Sequence, residues 1–178
     1  MDEKVFVCKK EYSVIKLLGH GKGGYSYLVE KDGEYFVLKQ IHHEPCDYYT
    51  FGNKIEAEQN DYQKLLAAKI RIPKMIDIDI ENERIIKEYI EGPTVFELVE
   101  KDEACAKLFE LVRIEAEKAK NAGLNIDYFP TNFILNGENL YYVDYECNPY
   151  DEKWDFEHWG IKYWSKTPEF MEYLKNRK

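Results

Sequence analysis

The sequence predicts an α+β fold, with a first half of antiparallel strands and a mostly helical second half. Three observations predict it. Short runs rich in β-branched and aromatic residues recur up to Ile90, and one pair is joined by Asp32-Gly33, a strong hairpin-turn signal. An apolar stripe at helical spacing runs from about Asp102 to Ala122 and stops at Gly123. No repeat, low-complexity tract or long Pro/Gly/Ser linker interrupts the 178 residues, which suits one domain or two tightly joined lobes.

Taken in order, Tyr12 to Leu18 reads as a strand ending at Gly19, and Tyr25 to Val29 as a second. Glu34 to Ile41 is the third, with Phe36, Val37, Leu38 and Lys39 at its centre. A helix follows, with Asn53 as N-cap and Glu56 three residues on, a variant of the capping box. Ile55, Tyr62, Leu65 and Leu66 share one of its faces, and Ile72-Pro73 stops it. Met75 to Asp79 and Arg84 to Ile90 are two more strands around Glu81-Asn82-Glu83, giving a sheet of about five strands. Glu91-Gly92-Pro93 is a connection and the expected lobe boundary. Thr94 caps a short helix through Val99, and a longer one carries Cys105, Leu108, Phe109, Val112, Ala116 and Ala119 on its apolar stripe. Phe133 to Leu135 and Tyr141 to Val143 are short strands around Asn136-Gly137. The end reads as helix from Trp154 to Trp164, then a short helix capped by Thr167 with Pro168 in its first turn.

Composition narrows the function classes. A formal charge of −9 argues against general nucleic-acid binding, which needs Lys and Arg to replace phosphate counterions, and against docking on an anionic membrane. It leaves room for a nucleotide, which a few local groups and a cation can hold. The charged start (Met1, Asp2, Glu3, Lys4) does not read as a secretory signal, and no apolar run approaches the ~20 residues that span a bilayer. Cys8, Cys46, Cys105 and Cys147 are widely spaced, without a CxxC pair, and read as reduced thiols of a cytoplasmic protein.

Four signals carry chemistry, and their order matters more than any one of them. Gly19-His20-Gly21-Lys22-Gly23-Gly24 lies between two strands, where glycines let the backbone approach a ligand and offer N–H groups to phosphate oxygens. Because a strand follows it, it is not the dinucleotide-binding form, which opens a helix. Lys39 lies near the end of an apolar strand; such a lysine either snorkels or aims its ammonium at phosphates under the hold of a carboxylate. Glu58 on the following helix is the natural partner and Glu56 the alternative. Asp127 and Asn132, separated by four residues on a loop, supply a proton acceptor and an amide oxygen suited to a hard cation. Asp144 ends a short apolar strand, where a carboxylate is well placed for Mg2+.

In this order the chain resembles the protein-kinase-like superfamily, from about Tyr12 to Trp159. The glycine-rich loop corresponds to Gly19 to Gly24, the strand lysine to Lys39 and its helix glutamate to Glu58. The hinge corresponds to Glu88-Tyr89-Ile90-Glu91-Gly92, the catalytic loop D-x-x-x-x-N to Asp127 to Asn132, and the D-F-G motif to Asp144-Tyr145-Glu146. The resemblance implies a two-lobe fold over residues 1–178, with an N-lobe of about 1–90 and a reduced C-lobe of about 91–178. It implies ATP and Mg2+ as cofactors. Gly19, Gly21, Gly23 and Gly24 would cover the phosphates, though Tyr25-Ser26 allows a register shifted by two. Lys39 would contact the α- and β-phosphates, backbone groups of Glu88 and Ile90 would meet adenine, Asp127 would orient or deprotonate the acceptor hydroxyl, and Asn132 and Asp144 would hold Mg2+.

The departures are specific. Asn125-Ile126 replaces the usual His-Arg pair, so regulation by activation-loop phosphorylation is not expected, and Phe129 replaces a lysine common in Ser/Thr kinases. Glu146 in the third place of the metal motif is more like the aminoglycoside and choline kinase branch. Tyr150 and Trp154-Asp155-Phe156-Glu157-His158-Trp159 also resemble that branch, which implies that Asp155 braces the catalytic loop from a helix N-terminus. The stretch after Asp144 is too short for an activation segment with A-P-E or for a large acceptor-binding insert, so the acceptor stays open: a small alcohol or a protein Ser/Thr. The alternative is a nucleotide-binding pseudokinase that serves as a regulatory module.

Two further features read as ordinary structure. His42-His43-Glu44-Pro45-Cys46-Asp47 has the residue types of a zinc site but reads as a loop, because a site needs three or four convergent ligands. The aromatic tail (Tyr150, Trp154, Phe156, Trp159, Tyr163, Trp164) reads as core, and leftover apolar surface there would suit a homodimer.

Overall fold

The computed structural model describes residues 3–45 and 53–177. Alternating apolar and polar side chains in the first half produce six strands: β1 (Lys4–Val7), β2 (Lys10–His20), β3 (Gly24–Lys31), β4 (Glu34–Ile41), β5 (Met75–Asp79) and β6 (Arg84–Glu88). They form one antiparallel sheet in the order β1-β2-β3-β4-β6-β5. Asp32 and Gly33 turn β3 into β4 with φ of 53° and 82°, and the two strands pair without a slip from Gly24 opposite Ile41 to Lys31 opposite Glu34. The sheet has one strand more than expected. β1 is too short to carry a readable alternation, and it is fixed by pairing with β2.

The chain divides into two units, Met1–Asn60 with Pro73–Tyr89, and Asp61–Ile72 with Ile90–Lys178. In the first unit the sheet buries side chains on both faces. Val7, Tyr12, Val29, Leu38 and Ile86 form one cluster. Ile41 and Ile85 form another with Ile55, from the first turn of helix α1 (Lys54–Ala67). The sheet is curled so that its end strands meet. The Cys8 N–H donates to the Asp79 carboxylate (3.1 Å), the Cys8 thiol to the Ile78 carbonyl (3.3 Å), and Lys10 pairs with Asp77 (2.8 Å). Arg84 Nη1 donates to the Phe6 carbonyl at 2.7 Å.

The second unit is less helical than predicted. Its helices among the described residues are the end of α1, α2 (Val95–Glu100), α3 (Ala106–Asn121) and α4 (Pro168–Asn176). Beside them stand two two-stranded antiparallel sheets, β7 (Leu124–Ile126) with β10 (Cys147–Pro149), and β8 (Phe133–Asn136) with β9 (Asn139–Tyr142). Thr94 caps α2 in a full capping box with Glu97, and Thr167 caps α4. The expected helix from Trp154 to Trp164 is absent; 3-10 turns at Glu152–Trp154 and Gly160–Tyr163 replace it. The core gathers Leu108, Val112, Phe133, Tyr142, Phe156, Trp164 and Phe170, whereas Trp154 stays exposed. No helix among the described residues is long and apolar enough to cross a membrane.

Candidate functional site

Side-chain alternation along β4 explains the first grouping. Lys39 and Ile41 point to the same face, and Lys39 stands opposite Ile85 in the register of β4 with β6. That is the face on which Ile55 of α1 packs. Glu58 lies three residues after Ile55, on the same side of the helix, and so it meets Lys39 in an ion pair. The second Glu58 oxygen, Oε2, is buried with no hydrogen-bond partner among the described residues. Glu56 takes no part: its N–H donates to the Asn53 cap oxygen Oδ1 (3.2 Å) and its side chain is exposed.

The glycine-rich segment is tighter than its sequence suggests. β2 runs through Gly19 and His20 and β3 starts at Gly24, so only residues 21–23 form the turn. The Gly21 N–H donates to the Gly24 carbonyl (3.0 Å), and His42 N–H to the Gly23 carbonyl (3.3 Å). Gly24 is required by packing, because a Cβ there would lie 2.4 Å from the Gln40 carbonyl oxygen. At Gly19 and Gly21 a Cβ would enter open space. At Gly23 it would meet Lys39 Nζ at 3.5 Å and Glu58 Oε1 at 3.8 Å, so bare backbone lies alongside the ion pair.

Sequence reasoning missed Lys54. It is buried, and its ammonium donates to the carbonyls of Lys22 (3.2 Å) and His42, holding the glycine turn from the start of α1. A lysine in the first turn of a helix opposes the helix dipole, and that misplaced charge was the available signal.

The second unit assembles the other residues. β7 leads into Asp127, a 3-10 turn spans Pro130–Asn132, and β8 and β9 return the chain to Asp144. The Asp127 carboxylate accepts the Phe129 N–H (3.1 Å), and the Asn132 amide makes a long bond to the Asp127 carbonyl (3.4 Å). The Asn132 carbonyl accepts the N–H of Val143, next to Asp144 (2.9 Å). Asp144 Oδ1 accepts the Tyr145 N–H at 2.9 Å. The Tyr142 hydroxyl joins the two segments: it accepts the Asp127 N–H (3.1 Å) and donates to the Glu146 carbonyl (2.7 Å). Burial, followed by the Asp144 carboxylate, pushes that hydroxyl well above its ordinary pKa, so it stays neutral in this role. All three candidate polar residues, Asp127, Asn132 and Asp144, are half-buried.

Support for this loop comes from a different residue than expected. Asp155 bonds Tyr150 (3.0 Å) and the N–H and ring of His158 (2.8 Å each), outside any helix. Instead, Trp164 Nε1 donates to the Tyr128 carbonyl (2.7 Å) from the aromatic tail, and Gly160 lies against Tyr128, where a Cβ would come within 2.5 Å. Asn125 is buried, with its amide N–H on the Asp151 carbonyl at 2.8 Å. Glu88 ends β6 with its N–H on the Lys74 carbonyl (2.9 Å), and Ile90 is buried. Residues 42–45 are a loop, as expected, in which His42 and Glu44 converge with His20 of β2, while Cys46 and Asp47 lie outside the described residues.

A scan of the chain against protein-family models finds no match, and a search of the curated proteins finds none either.

Proposed function

We propose that this chain is an ATP- and Mg2+-dependent phosphotransferase of the protein-kinase-like type, with a two-lobe fold, moving the γ-phosphoryl group to a hydroxyl of a small molecule or a protein Ser/Thr. The observation that carries the reading is the buried ion pair of Lys39 and Glu58, with the side-chain-free backbone of Gly23 beside it. A buried ion pair contributes little net stability, because desolvation offsets most of its attraction. Its value is positional. Glu58 fixes an ammonium that can draw phosphate oxygens, and a glycine backbone lets them come close.

The second unit supports the same reading with the residue types that phosphoryl transfer needs. The Asp127 carboxylate accepts the proton of the acceptor hydroxyl, and its hydrogen bond from Phe129 keeps it oriented. The Asn132 amide oxygen and the Asp144 carboxylate are hard oxygen donors of the kind Mg2+ takes, so these residues fit the ion and would hold it. When bound, Mg2+ neutralises charge on the phosphate oxygens. Tyr142 keeps the Asp127 and Glu146 backbones in register, which is the positioning on which the rate depends.

One observation favours the second reading, a nucleotide-binding module without turnover. Phe129 stands where many kinases carry a lysine, and its ring packs on Tyr163 (5.2 Å) and Tyr173 (4.7 Å), adding no charge.

The test is a thermal-shift titration with ATP, with and without Mg2+, on the natural chain and on Asp144→Asn. A ligand at a hundredfold excess over its Kd stabilises by about 2.7 kcal/mol. A Mg2+-dependent shift that Asp144→Asn abolishes supports nucleotide binding, and phosphate transfer to sugars, amino alcohols or peptides then separates the two readings. No shift rejects both.

A further inference from the structure

We propose that His20, His42 and Glu44 form a binding site for one divalent first-row transition-metal ion of the zinc type. All three belong to the first unit, and although His20 lies within the glycine-rich segment, the proposal does not depend on the nucleotide reading. His20 ends β2, and His42 and Glu44 follow β4. The sheet brings them together: His20 faces Tyr25 across β2 and β3, and Gly24 faces Ile41 across β3 and β4, so the chain leaving β4 passes over the end of β2.

The geometry is that of a ligand set. One donor atom from each residue lies within 4.8 Å of the others. Glu44 Oε2 is 3.2 Å from His20 Nε2 and 3.8 Å from His42 Nε2. Donors bound tetrahedrally at about 2.0–2.1 Å from one ion stand roughly 3.3–3.4 Å apart, and both Glu44 contacts lie within about half an ångström of that spacing. Two imidazoles with one carboxylate suit zinc, cobalt or nickel rather than Mg2+ or Ca2+, which take oxygen donors. His20 and Glu44 are exposed, so the fourth position is open to water.

The surroundings orient these donors. The Tyr25 hydroxyl donates to Glu44 Oε1, which leaves Oε2 directed at the histidines. The Tyr25 ring stacks on His20, with centroids 4.3 Å apart and planes 6° from parallel, fixing the imidazole. Such partners of ligand residues are what distinguish an oriented site from a chance cluster. The hydrogen bond from Tyr25, against a smaller effect of burial and with help from both histidines, holds the Glu44 carboxyl below its usual range.

His42 sets the cost of binding. The Glu44 N–H donates to its Nδ1 (3.2 Å), so the proton sits on Nε2, which donates to the Gly21 carbonyl at 2.8 Å. A metal on Nε2 shifts that proton to Nδ1, with no net proton released by this ring, and frees the Gly21 carbonyl and the Glu44 N–H. Binding thus exchanges the hold of His42 on the glycine turn for a bond through the ion to His20.

The experiment is a Co2+ titration of the full chain, read by visible absorption, followed by displacement with Zn2+ and calorimetry with Zn2+ alone. One saturable equivalent with the absorption of a four- or five-coordinate ion is expected. Glu44→Gln and His20→Gln should each weaken binding by about tenfold or more, and Tyr25→Phe by about tenfold, while His43→Gln leaves it unchanged. Glu44 and His20 are exposed, and melting curves confirm that the variants fold. Absence of saturable binding to the natural chain overturns the proposal, as does binding that survives both Glu44→Gln and His20→Gln or that is lost in His43→Gln.

Discussion

Lys39 and Glu58 form an ion pair whose side chains keep only 11% and 12% of their surface exposed. Lys39→Ala leaves a carboxylate buried without its partner and should destabilise the chain by about 3–5 kcal/mol. The double variant Lys39→Met/Glu58→Leu removes both charges and should be more stable than Lys39→Ala. Urea unfolding checks the order. All of these variants should lose the ATP-induced thermal shift, so a stable but non-binding double variant would separate the pair's ligand role from its structural one.

Under the proposed function Asp127 has two tasks that substitution can divide. Its carboxylate caps the Phe129 N–H, a bond that Asn can keep and Ala cannot. Asp127→Asn should retain the Mg·ATP shift and lose turnover by roughly 10²–10⁴-fold, the usual span for a missing general base. Single-turnover phosphate transfer measures this, and transfer at the natural rate would move the proton acceptor to another residue.

Tyr142→Phe removes a buried hydroxyl that serves both the Asp127 N–H and the Glu146 carbonyl. The Asp127 N–H and the Glu146 carbonyl then lose that partner, at up to about 1–3 kcal/mol each before water or relaxation compensates. For a chain of this size each kcal/mol lowers the melting temperature by about 2–4 °C. Calorimetry should therefore show a drop of several degrees, and a melting temperature equal to that of the natural chain would mean that the hydroxyl is not bridging.

His158 and Asp155 make a pH-dependent pair. The Asp155 carboxylate, chiefly by hydrogen bonding, raises the His158 pKa above its ordinary value. Burial pushes Asp155 up, but the N–H and ring of His158 and the Tyr150 hydroxyl outweigh it and leave that carboxyl below its usual range. The His158 contribution is full below its unfolded pKa of about 6.5 and fades as pH rises through the raised folded value. The Asp155 contribution is full above about 3.9 and is lost as pH falls through the lowered folded value. His158→Gln should thus cost most stability between about pH 4 and 6.5 and least in alkaline solution, as melting curves across pH can measure. A cost that does not vary over that range would rule out the charged pair.

Local signals made much of this fold legible. β4 and β5 have the predicted limits, because each is a short β-rich run with turn residues at both ends. Asn53, Thr94 and Thr167 cap helices as their positions suggest. What escaped was set by distant partners. β7 and β10 are three residues each, too short for a period, and exist because they pair with one another. Trp154 to Trp164 has helical spacing of aromatics, yet the need to seat Phe156 and Trp164 in the core and Gly160 against Tyr128 holds it in 3-10 turns. Glu115 sits on the apolar stripe of α3, buried because it pairs with Lys118 (2.8 Å) and accepts the Arg71 N–H (3.0 Å). The partnership of Lys39 and Glu58 was readable from spacing along one strand and one helix. That of His20 with His42 needed the register of three strands.

The ties from Cys8 and Lys10 to β5 have a consequence for association. β1 and β5 are the two outer strands of the sheet, and an outer strand normally offers unpaired N–H and C=O groups to any passing extended chain. Here the Ile78 carbonyl is already taken by the Cys8 thiol, and the carboxylates of Asp77 and Asp79 are drawn inward to Lys10 and to the Cys8 N–H. These ties obstruct part of the β5 border, and so make strand-by-strand growth at that edge harder than on an unclosed sheet.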